Sequence, residues 1–499
     1  MRALWSSIAC ALLAACAGPA PPLPRFAPVL VPLAWSESGG MATTAATATI
    51  DAPPAGVAAA WPQLFDDPIL DALMTRAAAA NLDVALAGAR LREARAQAGL
   101  VAAAGQAALD VTGSYARERD SLNAPRPVLL KRAGEGESSS RFDSLYQAGF
   151  DASWEIDVFG ARRHASAAAR ADVDALAQEG DAMLATVGAE VARNYVLLRA
   201  AQQQLMLARA DLDGQDDLLA LARARRSGGY ATGLEVANVA AEGARMAAQV
   251  PLLELDAKRA LHRIGVLLGE PHAALAGELP GELPGDLRQP GPIPRPRARL
   301  AIALPSELLR RRPDVKRAER QLAAATARRE AAVAELFPRI TLVGSAGLAS
   351  VSASELFSGA SLFARIGPTI TWPILRRGQI AATIEVRGAQ QEQAFVAYRQ
   401  VIVNAFEEVE NALAAIDAAQ QRHGALAVLV RENELAHALA TARHRGGMAH
   451  FLTVLDARHG LAQAHRELAR SDAELATAAI ALFKSAGGNW GAASAPAGG

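Results

Sequence analysis

The chain contains a long internal repeat at a fixed offset. Trp154 and Trp372 lie 218 residues apart, and the same offset relates Gly269 to Gly487, with no insertion or deletion between these two matches. One residue inserted into a helix rotates everything after it by about 100°, whereas loops tolerate changes of length. The gap-free match therefore predicts two copies of a long helical hairpin whose register is fixed.

Both copies carry apolar residues at spacings of three and four along their long segments, which is typical of helices packed as coiled coils. The segments extend to about Ser227 and Arg445, and nearly seventy helical residues would span roughly 100 Å. Their other faces carry Arg, Glu, Asp and Gln, which predicts helices that stand in water. The apolar positions are Val173, Leu176, Met183, Val187, Val191, Tyr195 and Leu198 in the first copy, and Phe395, Tyr398, Ile402, Phe406, Val409, Leu413 and Ile416 in the second.

Before each long helix the apolar period changes to two, which predicts strands at about 109–118, 143–156, 339–350 and 361–373. The opposite face carries polar residues such as Asp151, Glu155 and Arg365. Strands of about ten residues cross a bilayer when tilted, so we expect the apolar face to contact lipid and the polar face to line a wet lumen. The edge of a soluble sandwich would also alternate, but it would not explain the long helices. The residues predicted to face lipid are Tyr146, Phe150, Trp154, Leu362, Ile366, Ile370 and Trp372.

Four strands cannot close a barrel in lipid, where open sheet edges are forbidden. The chain is therefore expected to pool its strands with identical copies, which gives a shared β-barrel and a helical tube. The predicted fold is mainly α with β, and it is internally duplicated.

The amino terminus has the pattern of a lipoprotein signal peptide, residues 1–15. Arg2 precedes an apolar segment that ends in Leu13-Ala14-Ala15-Cys16, a bacterial lipobox pattern. Cys16 is then expected to carry diacylglycerol and an N-acyl lipid as the new amino terminus, and Ala17 gives no signal for inner-membrane retention. An ordinary signal peptide that happens to contain Cys is the alternative.

The remaining boundaries follow composition. Residues 16–60 are predicted to form an extended lipidated tether, 61–270 the first repeat, 271–305 a Pro-rich linker, 306–490 the second repeat and 491–499 a flexible tail. The first repeat is 13 residues longer than the second between its two strands, in a Gly- and Ser-containing segment at 119–141. This segment is expected to be an exposed loop.

Several stretches together resemble the outer membrane factor family (TolC/OprM-like), and within it the NodT-type efflux lipoproteins. The resemblance covers about Phe65 to Trp490, and it is carried by Trp154–Gly160, Pro305–Glu319, Glu335–Ile340, Gly367–Leu375 with Gly378, and Leu482–Trp490.

The resemblance implies a TolC-like homotrimer with a twelve-stranded transmembrane β-barrel and a twelve-helix α-barrel. It would be lipid-anchored in the outer membrane, extend into the periplasm and passively conduct substrates. These would be handed over by an inner-membrane pump of the resistance-nodulation-division (RND) class and a periplasmic adaptor, the membrane fusion protein. An exit duct for type I protein secretion would have the same fold. A periplasmic scaffold anchored by lipid alone is a further alternative, but it would not need lipid-facing tryptophans.

In this family the tunnel narrows at the periplasmic turns. Some relatives carry an acidic ring there, but this chain has no Asp or Glu between Glu434 and Asp456, which puts such a ring in doubt. A solvated basic turn is the alternative to a gate. The candidate turn and gate residues are Arg225, Gly228, Gly229, Arg443, Arg445, Gly446 and Gly447.

No pattern indicates catalysis. The formal net charge is zero at pH 7, which gives no electrostatic basis for a nucleic acid partner. We find no nucleophile elbow, phosphate loop or zinc spacing, and therefore predict no enzyme activity, no metal site and no cofactor other than the lipid on Cys16. His437 and His444 form only a weak metal-ligand pattern, and Glu407, Glu408 and Glu410 would line the lumen or face water.

Overall fold

The computed structural model describes residues 35–36, 64–119, 142–270, 287–296 and 305–488. The predicted signal peptide, Cys16, the tail, and most of the tether, the 119–141 loop and the linker lie outside these described residues.

Each repeat contains a helix, two strands and a long helical hairpin, in that order. In the first repeat, after a short helix α1, these elements are α2, β1, β2, α3 and α4. Their bounds are α1 Pro68–Ala80, α2 Leu82–Ala103, β1 Ala108–Arg119, β2 Phe142–Ile156, α3 Ala161–Ser227 and α4 Gly233–Leu267.

The second repeat has the same order after its own short helix α5. Its bounds are α5 Pro305–Arg311, α6 Pro313–Ala334, β3 Arg339–Ser350, β4 Leu362–Thr371, α7 Arg377–Arg445 and α8 Phe451–Ser485. A single 3₁₀ turn, Gly359–Ser361, precedes β4. The ends of α3 and α7, and both ends of α4 and α8, are related by the 218-residue offset. The predicted duplication of mainly helical structure is thus confirmed at the level of elements.

The four strands form one antiparallel sheet in the order β1-β2-β3-β4. β2 of the first repeat pairs directly with β3 of the second, with Trp154 opposite Leu342 and Phe150 opposite Ala346. Strands β1 and β4 lie at the two edges, and no other described strand pairs with either of them.

The chain divides into two compact units. Among the described residues, the first unit contains residues 93–174 and 320–396, and therefore the sheet and the adjoining helix ends. Ala332 of α6 packs with Ile380 and Ile384 of α7 in a small cluster of this unit.

The second unit contains the largest hydrophobic core. Its centre is the predicted apolar seam of α3 and α7: Val191, Val409 and Leu413 are 0% exposed. Tyr195 is also buried, and its hydroxyl donates to Asp67 Oδ2 at 2.8 Å. Burial raises the pKa of Tyr195 to about 12. The coiled-coil spacing therefore identified this core correctly.

The described part of the linker, residues 287–296, packs against α3. Gln202 Nε2 donates to the Leu287 carbonyl at 2.7 Å, and Arg199 Nη1 donates to the Gln289 carbonyl at 2.7 Å. Leu287 and Ile293 are buried in the same core. Among the described helices, none combines the length and apolar character that a bilayer span requires.

Candidate functional site

One face of the sheet is apolar across all four strands. Partners in an antiparallel ladder project to the same side, so the observed register gathers alternate residues of every strand on this face. Several of its side chains are more than half exposed, among them Val111 and Ile366, each at 78%. Its members are Leu109, Val111, Gly113 and Tyr115; Tyr146, Ala148, Phe150, Ala152, Trp154 and Ile156; Ile340, Leu342, Gly344, Ala346 and Leu348; and Leu362, Ala364, Ile366, Pro368 and Ile370. The polar residues on this side lie at one end of the sheet: Ser350 of β3, Ser144 of β2, and Arg117 and Arg119 of β1.

The sheet therefore brings six of the seven predicted lipid-facing residues to one surface. Trp372 is the seventh, and its contact with lipid stays a prediction. β4 ends at Thr371, and Trp372 lies just beyond it, where its indole Nε1 donates to the Leu336 carbonyl at 3.1 Å. β4 ends where its partner begins, because Thr371 pairs with Arg339, the first residue of β3.

The opposite face carries the charged and hydroxyl side chains. Asp110 lies opposite Asp151, Asp151 lies opposite Ser345, and Ser345 lies opposite Arg365. These four residues form one row across the sheet. Thr112 Oγ1 donates to Asp151 Oδ2 at 2.8 Å, so one of the two facing carboxylates has a neutral partner. This face suits contact with water and not with hydrocarbon.

Strands β2 and β3 approach closely where two glycines face each other. Gly149 pairs with Gly347 on the polar face. A Cβ on Gly347 would lie 2.5 Å from the Ala148 carbonyl oxygen, and a Cβ on Gly149 would lie 2.6 Å from the Ala346 carbonyl oxygen. Only glycine fits at these two positions.

The two long hairpins turn through the same backbone motif. Gly229 and Gly447 adopt φ of 80° and 74°. The N–H groups of Tyr230 and Met448 donate to the carbonyls of Arg225 and Arg443, each at 2.8 Å. This pairing with a left-handed glycine is the Schellman motif, so the second glycine of each Gly-Gly pair ends the helix.

The turns are basic and carry exposed apolar side chains. Among the described residues, Arg226, Arg443 and Arg445 have no ion-pair partner. Tyr230 is 80% exposed and Met448 is 69% exposed. The turns thus present cations and apolar groups together, which is the composition of a contact surface.

The two turns also touch each other. The Arg225 guanidinium lies 5.4 Å from the centroid of the Phe451 ring, and His444 lies 5.6 Å from the same ring. His444 Nδ1 is 2.9 Å from the Ala449 carbonyl, so this nitrogen is a donor. The imidazole is held within its own turn, in an arrangement that does not depend on a metal.

Two of the glutamates left open by the sequence have structural partners. Glu408 accepts from Arg312 Nη2 at 2.6 Å, and Glu410 accepts from the backbone N–H of Ser36 at 2.8 Å. Arg312 also donates to Asp314 at 2.6 Å and to the Ser485 carbonyl at 3.0 Å. Burial alone would raise the pKa of Asp314, but hydrogen bonds and the charge of Arg312 lower it below its usual range.

The start of α3 contains a carboxylate whose role the sequence did not reveal. Asp157 accepts from the backbone N–H groups of Arg162 at 3.1 Å and of Arg163 at 2.8 Å. Burial would raise the pKa of Asp157, but these two hydrogen bonds lower it overall. An Asp within a few residues of a predicted helix start was the available signal.

Known proteins match both repeats of this chain. The family model described as "Outer membrane efflux protein" matches residues 73–270 and 304–488. The pyoverdine export outer membrane protein OpmQ of Pseudomonas aeruginosa is 31% identical over 434 residues, which cover 86% of this chain and 87% of OpmQ. Nodulation protein T of Rhizobium leguminosarum bv. trifolii is 29% identical, covering 91% of this chain and 90% of that protein.

Solved structures of other proteins share this fold. The outer-membrane channel OprN superposes with a TM-score of 0.81 at 30% identity, over 94% of this chain and 99% of OprN. The predicted TolC-like fold is therefore confirmed, and because this family consists of transporters, so is the prediction that the protein is not an enzyme. Both repeats together identify the chain as a member of the outer membrane efflux protein family.

Proposed function

We propose that this protein is the outer membrane channel of a tripartite efflux system, in which three copies form one pore. The pore passively conducts substrates that an inner-membrane RND-type pump and a periplasmic adaptor hand over. The sheets of the three copies join into a twelve-stranded barrel, and the long hairpins form the helical tunnel.

The observation that carries the proposal is the sheet with one continuous apolar face and two unpaired edges. Val111 of β1 and Ile366 of β4 are each 78% exposed on that face, and an apolar surface of this size calls for a partner. An edge strand also leaves N–H and C=O groups unpaired, which is forbidden in hydrocarbon. Pairing of β1 with β4 of the next copy satisfies both requirements.

The polar face would then line the pore. The row of Asp110, Asp151, Ser345 and Arg365 provides charges and a hydroxyl that water can solvate. Charged side chains in a membrane protein face a water-filled cavity or the protein interior, and this face therefore suits passive conduction of polar solutes.

The hairpin turns would serve as the periplasmic end of the pore. Arg225, Gly228, Gly229, Arg443, Arg445, Gly446 and Gly447 lie at or beside the two turns. Exposed Tyr230 and Met448 offer apolar contacts to an adaptor, while the unpaired arginines narrow the passage. The second turn has no Asp or Glu between Glu434 and Asp456, so the constriction is expected to be cationic and not acidic there.

Lipid attachment at Cys16 belongs to the same proposal, although Cys16 lies outside the described residues. The lipobox pattern Leu13–Cys16 supports it. The mass of the mature amino-terminal peptide would test it: diacylglycerol and N-acyl groups on Cys16 are expected, and an unmodified Cys16 would contradict it.

Small-molecule cargo is favoured over the protein cargo of a type I secretion duct. The relative OpmQ is named for pyoverdine export, and another relative, TtgF of Pseudomonas putida, is named for toluene efflux. Both are small molecules, so we infer export of small solutes. Loss of the gene should therefore increase sensitivity to small toxic compounds; an unchanged profile with a lost secreted protein would favour the secretion duct.

A matched pair of lysine variants tests the pore. Ile366→Lys places a charge on the apolar face of β4, and Thr369→Lys places the same charge on the polar face. A lysine facing lipid near the midplane costs about 2–4 kcal/mol, so Ile366→Lys should abolish insertion into planar bilayers. Thr369→Lys should still conduct and shift toward anion selectivity. Equal insertion by the two variants would refute the assignment of the faces.

A further inference from the structure

The junction between β4 and α7 carries two arginines beside exposed apolar side chains. Ile374 is 62% exposed and Leu375 is 99% exposed, and exposed Arg376 and Arg377 follow directly. Neither arginine has a carboxylate partner among the described residues. The Arg377 guanidinium lies 5.6 Å from the centroid of the Trp372 ring.

The corresponding junction of the first repeat has the same apolar character, but its charges are balanced. Val158 and Phe159 are 52% and 41% exposed there. The adjacent arginines, however, have partners: Arg162 pairs with Glu155 at 2.9 Å, and Arg163 pairs with Asp157 at 3.5 Å.

The 218-residue offset shows that the two junctions differ at their charged positions. The positions equivalent to Glu155 and Asp157 are Pro373 and Leu375. Neither side chain can neutralise an arginine. Arg376 and Arg377 stand at the positions of Val158 and Phe159, so the second junction carries arginines where the first carries apolar side chains, and it lacks both carboxylates.

The junction also borders the apolar face of the sheet. Ile370, the last residue of that face on β4, is 66% exposed and lies four residues before Ile374. Arginine and tryptophan side chains beside an apolar surface anchor proteins at the boundary between hydrocarbon and headgroups.

We propose that the β4–α7 junction, residues 372–377, binds the headgroup phosphate of an anionic phospholipid at the membrane boundary nearest the helices. This inference rests on the proposed placement of the sheet in the outer membrane. Ile374 and Leu375 contact the acyl chains. Arg376 and Arg377 donate to the phosphate in charge-assisted hydrogen bonds, for which guanidinium is well shaped.

The expected lipid is one with net negative charge, such as phosphatidylglycerol. In phosphatidylcholine the choline already balances the phosphate. Each arginine near an anionic lipid surface contributes roughly fivefold in affinity, so the two together should give a preference of about 25-fold at low salt.

The preference can be measured by native mass spectrometry of the full-length protein in detergent. Equal amounts of dioleoyl phosphatidylglycerol and dioleoyl phosphatidylcholine are added, and the ratio of bound lipids is counted. The test variant is Arg376→Gln/Arg377→Gln. The control, Arg387→Gln/Arg399→Gln, removes the same charge from partly and fully exposed positions farther along α7.

Wild type and control should retain phosphatidylglycerol preferentially, and the test variant should bind both lipids equally. Excess inorganic phosphate should not displace the lipid, because it lacks acyl chains. A preference that survives in the test variant would overturn the proposal. Displacement of the lipid by phosphate would also overturn it, because the arginines would then bind a soluble anion. A test variant that loses assembly between copies but keeps its lipid preference would overturn it as well, because the arginines would then bind a neighbouring chain.

Conductance of the same samples in phosphatidylcholine bilayers separates this inference from the proposed function. Channels without any lipid preference would refute the headgroup site alone. Absence of channels in every sample would refute the proposed pore.

Discussion

Replacement of Gly347 by alanine should destabilise the sheet where the two repeats meet. The added Cβ would lie 2.5 Å from the Ala148 carbonyl oxygen and 2.6 Å from Gly149 Cα. Both neighbours are backbone atoms of β2, so no side chain can rotate away. An ordinary contact needs about 3.5 Å, and the two strands would therefore have to separate by roughly 1 Å.

A separation of that size breaks ladder hydrogen bonds, because an N···O distance of about 2.9 Å would become nearly 4 Å. Loss of two such bonds at about 0.5–1.5 kcal/mol each gives about 1–3 kcal/mol. In lipid the penalty for unpaired backbone groups is larger. The control is Gly367→Ala, also on the polar face, where an added Cβ meets nothing within 4 Å.

Urea unfolding in detergent micelles, followed by tryptophan fluorescence, measures the difference. We expect a lower midpoint for Gly347→Ala and an unchanged or slightly higher midpoint for Gly367→Ala, since alanine restricts the unfolded chain. Equal midpoints for the two variants would refute the close approach of β2 and β3 and with it the register that aligns the apolar face.

Three further predictions concern the turns and the partly exposed ion pair of Asp314 with the buried Arg312. The double variant Arg443→Ala/Arg445→Ala should increase single-channel conductance in planar bilayers, because it removes bulk and charge from the proposed constriction; unchanged conductance would exclude both residues from it. Gly447→Ala should lower the free energy of unfolding by about 1–2 kcal/mol, because its φ is 74°, whereas Gly424→Ala within α7 should raise it slightly; equal effects would argue against the left-handed turn. The pKa of Asp314 is lowered in the folded state, so its stabilisation is present above its unfolded pKa of about 3.9 and is lost as pH falls through the lower folded value. Asp314→Asn should therefore flatten the acid limb of the stability curve, and an unaltered limb would show that the pair contributes nothing.

The repeat and its helices and strands could be predicted from the sequence because the helical and strand periodicities both occur twice, once in each copy. The strand predicted at about 339–350 is observed as Arg339–Ser350, and the long helices end at Ser227 and Arg445 as expected. The apolar period depends only on residues close in the sequence, and a continuous helix preserves the 218-residue offset between the two copies.

Contacts between segments far apart in the sequence could not be predicted from these periodicities. The pairing of Trp154 with Leu342 joins strands from different repeats, and its register depends on backbone approach at two glycines. Glu410 accepts from Ser36, which no spacing predicts. The alternation of β4 continues in the sequence to Trp372, whereas its pairing with β3 ends at Thr371.

The claim that identical copies complete the sheet is tested most directly by the mass of the channel-forming particle. Native mass spectrometry of protein that conducts in planar bilayers should give the mass of three chains. A stable monomer in the conducting fraction would contradict the account, because a single four-stranded sheet cannot satisfy its own edges in lipid.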